Sequence, residues 1–162
     1  MIINPLFVLI RAWLVTALCD GLFSSALAAL FYGSTVTKLW QGVASSILGK
    51  DAMDGGTTPA LIGVLMHVGV ALAWTTLFFL MTMQSAWLRK TIGTTSGMLA
   101  VACVYGPIIW MTMSLVLFPQ LYHRPTTINF RWWIQFFGHM VFVALPIVAM
   151  IRKGISQSVN AN

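Results

Sequence analysis

The chain has 162 residues, of which 59% are hydrophobic and only 7% charged, with a mean hydropathy of +0.87; no soluble domain of this size could solvate such a surface. Nine Lys and Arg against three acids give a formal charge of +6, but no basic run interleaved with aromatics is present, so the excess suits orientation against anionic lipid and excludes nucleic-acid binding. The composition defines an integral membrane protein whose first partner is the lipid bilayer.

The first element is an apolar run from about residue 6 to 31, covering about 39 Å at the helical rise, more than the roughly 30 Å of hydrocarbon it must cross. Asp20 lies within it. A carboxylate at the centre of a spanning helix costs about 2.5–3.5 kcal/mol on insertion scales, so it should face protein and find a partner. Thr16, Asp20 and Ser24 share one face with the small residues Ala17, Gly21 and Ala28 beside them, which is where other helices should approach closely. Ala26-Leu27-Ala28 has the small-x-small form of a signal-peptide cleavage site. Asp20 interrupts the apolar region, however, and Arg11 lies too deep for a basic leader, so the segment is expected to be an uncleaved anchor.

Next, Val36, Leu39, Trp40, Val43, Ile47 and Leu48 follow helical spacing and predict an amphipathic helix over about 35–48, opened by Ser34 or Thr35 and closed by Gly49. About 14 residues are too few to cross a membrane, so this helix is expected in the interface with Trp40 at headgroup level, a re-entrant hairpin being the alternative. Asp51 and Asp54 follow in a turn expected to be solvated, since no third carboxylate or calcium-loop pattern accompanies them.

Three further spans are expected at about 59–83, 94–118 and 129–151. The second contains His67; the third carries Tyr105, Gly106 and Pro107 near its centre, where the proline should bend the helix and release a carbonyl. The fourth contains His139 and Pro146, with Arg131, Trp132 and Trp133 as the belt at one end and Arg152 and Lys153 as the anchor at the other. Residues 1–153 thus form a single transmembrane domain, and residues 154–162 a polar, frayed tail. The expected fold is all-α: a four-helix transmembrane bundle with one short interfacial amphipathic helix. Even span number puts both termini on one side. Arg11, Arg89, Lys90, Arg152 and Lys153 on that side, against Lys38, Lys50, Arg124 and Arg131 with Asp51 and Asp54 opposite, favour cytoplasmic termini in a bacterial inner membrane. Cys19 and Cys103 fall inside spans as small apolar fillers and say nothing of redox compartment. Gly63 and Gly69 leave self-association, or docking in a larger membrane complex, open.

Counted inward from one end, His67 falls roughly 12 Å deep, His139 14–15 Å, Asp20 17–18 Å and Tyr105 20 Å. These four, on four helices, are expected to converge near the midplane, supported by Thr16, Ser24 and Gln135. A carboxylate beside an imidazole can pass a proton. Two facing histidines could instead hold a b-type haem, with Arg124 or Arg131 at its propionates, or His67, His139 and Asp20 could ligate a metal. A hydrogen-bonded pair that only fixes helix packing is the plainest alternative. His123 lies in a loop and is expected to be interfacial. No HExxH, GxSxG or glycine-rich phosphate loop occurs, no glutamate occurs at all, and no cysteines pair as a thiol oxidase requires, so no enzyme class is indicated.

The order of Asp20-Gly21, the stretch KLWQGVASSILGKDAMDGG (38–56), GVLMHVGVALAW (63–74), Gly106-Pro107 and FFGHMVFVALPIVAMIRK (136–153) resembles small bacterial four-span inner-membrane proteins and, more remotely, the YagU-like proteins. The resemblance picks out Asp20, His67 and His139. A role in acid tolerance suggested for YagU-like proteins implies proton-linked transport, sensing or stress tolerance here.

Overall fold

Inside hydrocarbon every backbone N–H and C=O must be paired within its own segment, which forces the apolar runs into helices. The computed structural model describes residues 4–123 and 125–159. Four long apolar helices are candidate membrane spans: α1, Pro5–Phe31; α3, Thr57–Gln84; α5, Thr95–Tyr122; and α6, Phe130–Ser156. Two short ones join them, α2, Val36–Leu48, and α4, Ala86–Gly93. Among the described residues there are no strands.

The helix starts are written locally. Asn4, Thr35, Ser85, Thr94 and Asn129 each accept a backbone N–H from the first turn of the helix they open, satisfying one donor that the helix leaves unpaired. Thr35, not Ser34, opens α2, and Gly49 closes it at φ 78°, a left-handed conformation that costs glycine nothing. The connection between the second and third spans is helical: Leu88 and Ile92, four residues apart, are buried, and Arg89 donates to the carbonyls of Thr82 (2.9 Å) and Met83 (2.6 Å), capping the end of α3. The C-terminal helix likewise runs to Val159, so the expected fraying does not begin at Gly154; residues 160–162 lie outside the described residues.

The long helices alternate in direction. Gly154 near the end of α6 lies against Val8 near the start of α1, and Arg152 donates to the Gly93 carbonyl at 3.0 Å. At the other end, Phe23 covers Gly138 and stacks on Phe142 at 4.3 Å. One half of the bundle, toward the chain ends, is solidly packed by Phe78, Ile92, Ile109, Ile147, Val148 and Ile151, each 0–2% exposed. The other half carries α2.

Close helix contacts fall where side chains are missing, as expected when lipid removes the hydrophobic drive between helices. A Cβ on Gly106 would meet Met140 N at 2.6 Å and the His139 carbonyl at 2.7 Å, and one on Gly63 would strike the Trp40 carbonyl. That approach overturns the expectation for Trp40: only 8% exposed, it turns into the bundle and not to the headgroups. Trp132 also leaves the belt, because Ser114 offers its N–H a partner at 3.0 Å; Arg131 instead lies 4.4 Å over the Tyr32 ring.

Three spans contain π-helical turns, at Leu27–Phe31, Thr112–Leu117 and His139–Ala144. The last two precede Pro119 and Pro146, whose missing N–H and ring clash with the carbonyl four residues back widen the turn. Pro107, expected to bend its span, sits inside the α-helical stretch Thr95–Met111.

The Gly63 contact is testable against Gly69 on the same helix, where a Cβ has nothing within 4 Å. Gly63→Ala should destabilise by about 1–3 kcal/mol, read as a lower melting temperature in detergent, whereas Gly69→Ala should be neutral or stabilising by about 0.5–1 kcal/mol.

Candidate functional site

In the half of the bundle that carries α2, the spans stand apart around a cavity of about 900 Å³. Thr16, Asp20 and Ser24 of α1 form one wall, His67 and Trp74 of α3 the next, Trp110 and Met113 of α5 the third, and Gln135, His139 and Val143 of α6 the fourth. Residues of α2, Lys38, Ser45 and Ser46 among them, cover it together with Lys50, Phe118 and Tyr122. Tyr122 reaches across to the Gly42 carbonyl at 3.0 Å. Six of the seven residues singled out from sequence therefore line one cavity.

The seventh does not. Tyr105 is absent from the cavity wall: its hydroxyl donates to the Trp74 carbonyl at 2.8 Å and its ring packs 4.9 Å from Phe78 within the solid half.

Asp20 and His67 meet. His67 Nδ1 lies 3.7 Å from Asp20 Oδ2, and the two side chains are 15% and 16% exposed. The other ring nitrogen, Nε2, lies 3.0 Å from the Ala17 carbonyl. A carbonyl only accepts, so Nε2 carries the hydrogen and in the neutral ring Nδ1 presents its lone pair to the carboxyl group. Trp13 of α1 returns a bond to α3, donating to the Val68 carbonyl at 2.8 Å; these reciprocal bonds fix the register of the two helices. The His67 ring lies beside Gly21 of α1, where a Cβ would make ordinary contact with Nε2 at 3.5 Å, and Trp40 stands 5.1 Å from the ring.

His139 occupies the opposite wall, bonded through Nδ1 to the Gln135 carbonyl at 2.8 Å and lying 4.9 Å from the Trp110 ring. Its Nδ1 therefore carries the hydrogen, leaving Nε2 uncommitted. The Gly106 contact with the His139 backbone sets its depth. Trp110 was not singled out from sequence, although an indole N–H within a span is itself a polar group needing a partner, the same criterion that marks Asp20.

Four buried polar atoms on the cavity-lining side chains bond to no protein group: Asp20 Oδ1, Thr16 Oγ1, Gln135 Oε1 and Trp110 Nε1. Such groups are costly in low dielectric, by about 1–3 kcal/mol each, unless something within the cavity meets them.

The residues do not fit a haem or a metal. Both His67 nitrogens are engaged, one by the Ala17 carbonyl and one facing Asp20, so neither is directed at an axial position shared with His139. Among the described residues no three of His, Cys, Asp and Glu group closely enough to hold an ion. Of the arginines considered for propionates, Arg131 is committed to Tyr32 and Arg124 lies outside the described residues. The Asp51 and Asp54 turn is exposed, and Asp54 pairs with Lys38 at 3.4 Å. His123 is exposed, ending α5 in a left-handed conformation.

Compared with protein families, curated proteins and solved structures, the chain matches none.

The cavity wall should be wet and the outer face of α1 should not. In a Cys19→Ser/Cys103→Ser background, Ser24→Cys and Ser46→Cys should react with a charged methanethiosulfonate, because only a hydrated thiol ionises. Leu18→Cys and Leu22→Cys, at positions 61% and 62% exposed on the outside of α1, should react at least about tenfold more slowly. Equal rates would mean that the cavity is closed to water.

Proposed function

We propose that this chain handles protons in a bacterial inner membrane, the Asp20–His67 pair taking up and releasing one proton in the service of proton-linked transport or sensing. The observation that carries this is the Ala17 carbonyl at His67 Nε2. It commits one ring hydrogen permanently and turns the other nitrogen toward the Asp20 carboxyl group at 3.7 Å. Only one further proton can reside between them, as imidazolium facing carboxylate or as neutral ring facing carboxylic acid. Loss of that proton leaves a single negative charge beside a cavity, a change of one unit in a low-dielectric site.

The surroundings agree with this role. The cavity wall runs from Asp20 and His139 to Lys38 and Lys50, which are exposed, an arrangement suited to water-borne protons entering at the lysine end. The distribution of Lys and Arg in the sequence favours cytoplasmic termini, so that end would be the outer one.

Nitrogen-15 histidine NMR of the protein in lipid nanodiscs tests the pair. His67 Nε2 should carry its hydrogen at every pH, while the Nδ1 signal should change on acidification in a way that Asp20→Asn alters, with the melting temperature kept within about 2 °C. If Asp20→Asn lowers the melting temperature and leaves the His67 titration where it was, the pair is a packing device and the proposal fails.

A further inference from the structure

We infer that the cavity binds an organic cation carrying N–H donors, an ammonium, amidinium or guanidinium on an apolar body, which enters as the proton of the Asp20–His67 pair leaves. This rests on the proton-handling role and adds the chemistry of what exchanges with the proton.

A volume of about 900 Å³ falls within the roughly 300–1,000 Å³ of sites that enclose drug-sized molecules, which are apolar with a few placed polar groups. Here Trp74, Trp110 and Met113 supply the apolar wall, and indole faces attract cations. Of the four cavity-lining polar atoms without a protein partner, three can accept, Asp20 Oδ1, Gln135 Oε1 and the Thr16 hydroxyl, against one that only donates, Trp110 Nε1. Asp20 Oδ1 is buried and bonds to no protein group; His139 keeps a free Nε2 because its Nδ1 is bonded to the Gln135 carbonyl; the fully buried Thr16 hydroxyl is also unpartnered. A ligand without donors would leave these acceptors unmet in low dielectric, and sites built to bond a donor reject analogues that lack it. An anion would face the Asp20 carboxylate. Lys38 does not reverse this preference: it is bound to the Met53 carbonyl at 2.5 Å and to Asp54 at 3.4 Å, and it stands with Lys50 at an exposed rim, where salt screens it.

The consequence is competition. One proton leaves the Asp20–His67 pair for each cation bound, so affinity should climb about tenfold per pH unit while the pair is protonated and level off once it is not. The ionisable groups facing Asp20 around the cavity are His67 from α3, His139 from α6, Tyr122 from α5, and Lys38 with Lys50 at the rim.

Three molecules of nearly one shape separate charge from bulk: benzamidinium, neutral benzamide and anionic benzoate. Each is titrated into the full-length protein in phosphatidylcholine nanodiscs, binding being followed by tryptophan indole NMR shifts and calorimetry. Benzamidinium should bind at least about tenfold more tightly than either analogue, tighten as pH rises, and lose that advantage in Asp20→Asn. Equal binding of benzamide or benzoate, or a benzamidinium affinity independent of pH, overturns the inference. The isostere comparison uses the unaltered chain, so it stands even if Asp20→Asn fails to fold. If benzamidinium does not bind while the His67 titration still responds to Asp20→Asn, the ligand class is wrong and the proton role survives; if neither occurs, both fall.

Discussion

A carboxylate placed in the middle of a lipid-spanning helix is the constraint on which the rest of this structure turns. Solvating it in hydrocarbon is costly, so the helices around it must supply either a partner or access to water. The chain does both. His67 reaches from the neighbouring span to Asp20 Oδ2, and Asp20 also lines a cavity whose wall extends to an exposed rim. A bundle packed solidly along its whole length would have no room for the second device. The division into a solid half, filled by Phe78, Ile109 and Ile147, and a hollow half under α2 follows from that need.

With so few polar side chains, the spans use one another's backbone. A carbonyl has two lone pairs, and in a helix only one is taken. His67 bonds to the Ala17 carbonyl, Trp13 to that of Val68, Tyr105 to that of Trp74 and His139 to that of Gln135. Each bond satisfies a donor without a second polar side chain in lipid; the first three cross between spans, while that of His139 stays within its own helix. Each histidine thereby receives its tautomer from a main-chain carbonyl. Tyr105 shows the other outcome. Its hydroxyl is fully served by Trp74, so it has no call on the cavity despite lying at a similar depth along its span.

Glycine and proline then place the parts. The contacts of Gly63 with the Trp40 backbone and Gly106 with the His139 backbone bring α2 and α6 to positions that larger residues would forbid. The wide turn at His139–Ala144 begins at the histidine itself, and π-turns of this kind recur at functional positions in helices.

The sequence by itself determined the element types, the number of spans and the identity of the polar residues within them, because hydropathy over some twenty residues and the cost of charge in lipid are properties of composition and period. It placed Asp20, His67 and His139 at comparable depth, since helical rise is constant. Rotation about each helix axis, and the direction in which each side chain leaves it, depend on which helices touch, and that was decided only in three dimensions. Hence Asp20 and His67 pair while His139 bonds to its own helix at Gln135, Tyr105 turns to the core, and Trp40 and Trp132, whose composition suits a headgroup belt, are drawn inside by Gly63 and Ser114. Helix α4 escaped a hydropathy argument because its eight residues are held by two buried side chains and an arginine cap, all of them contacts with other segments.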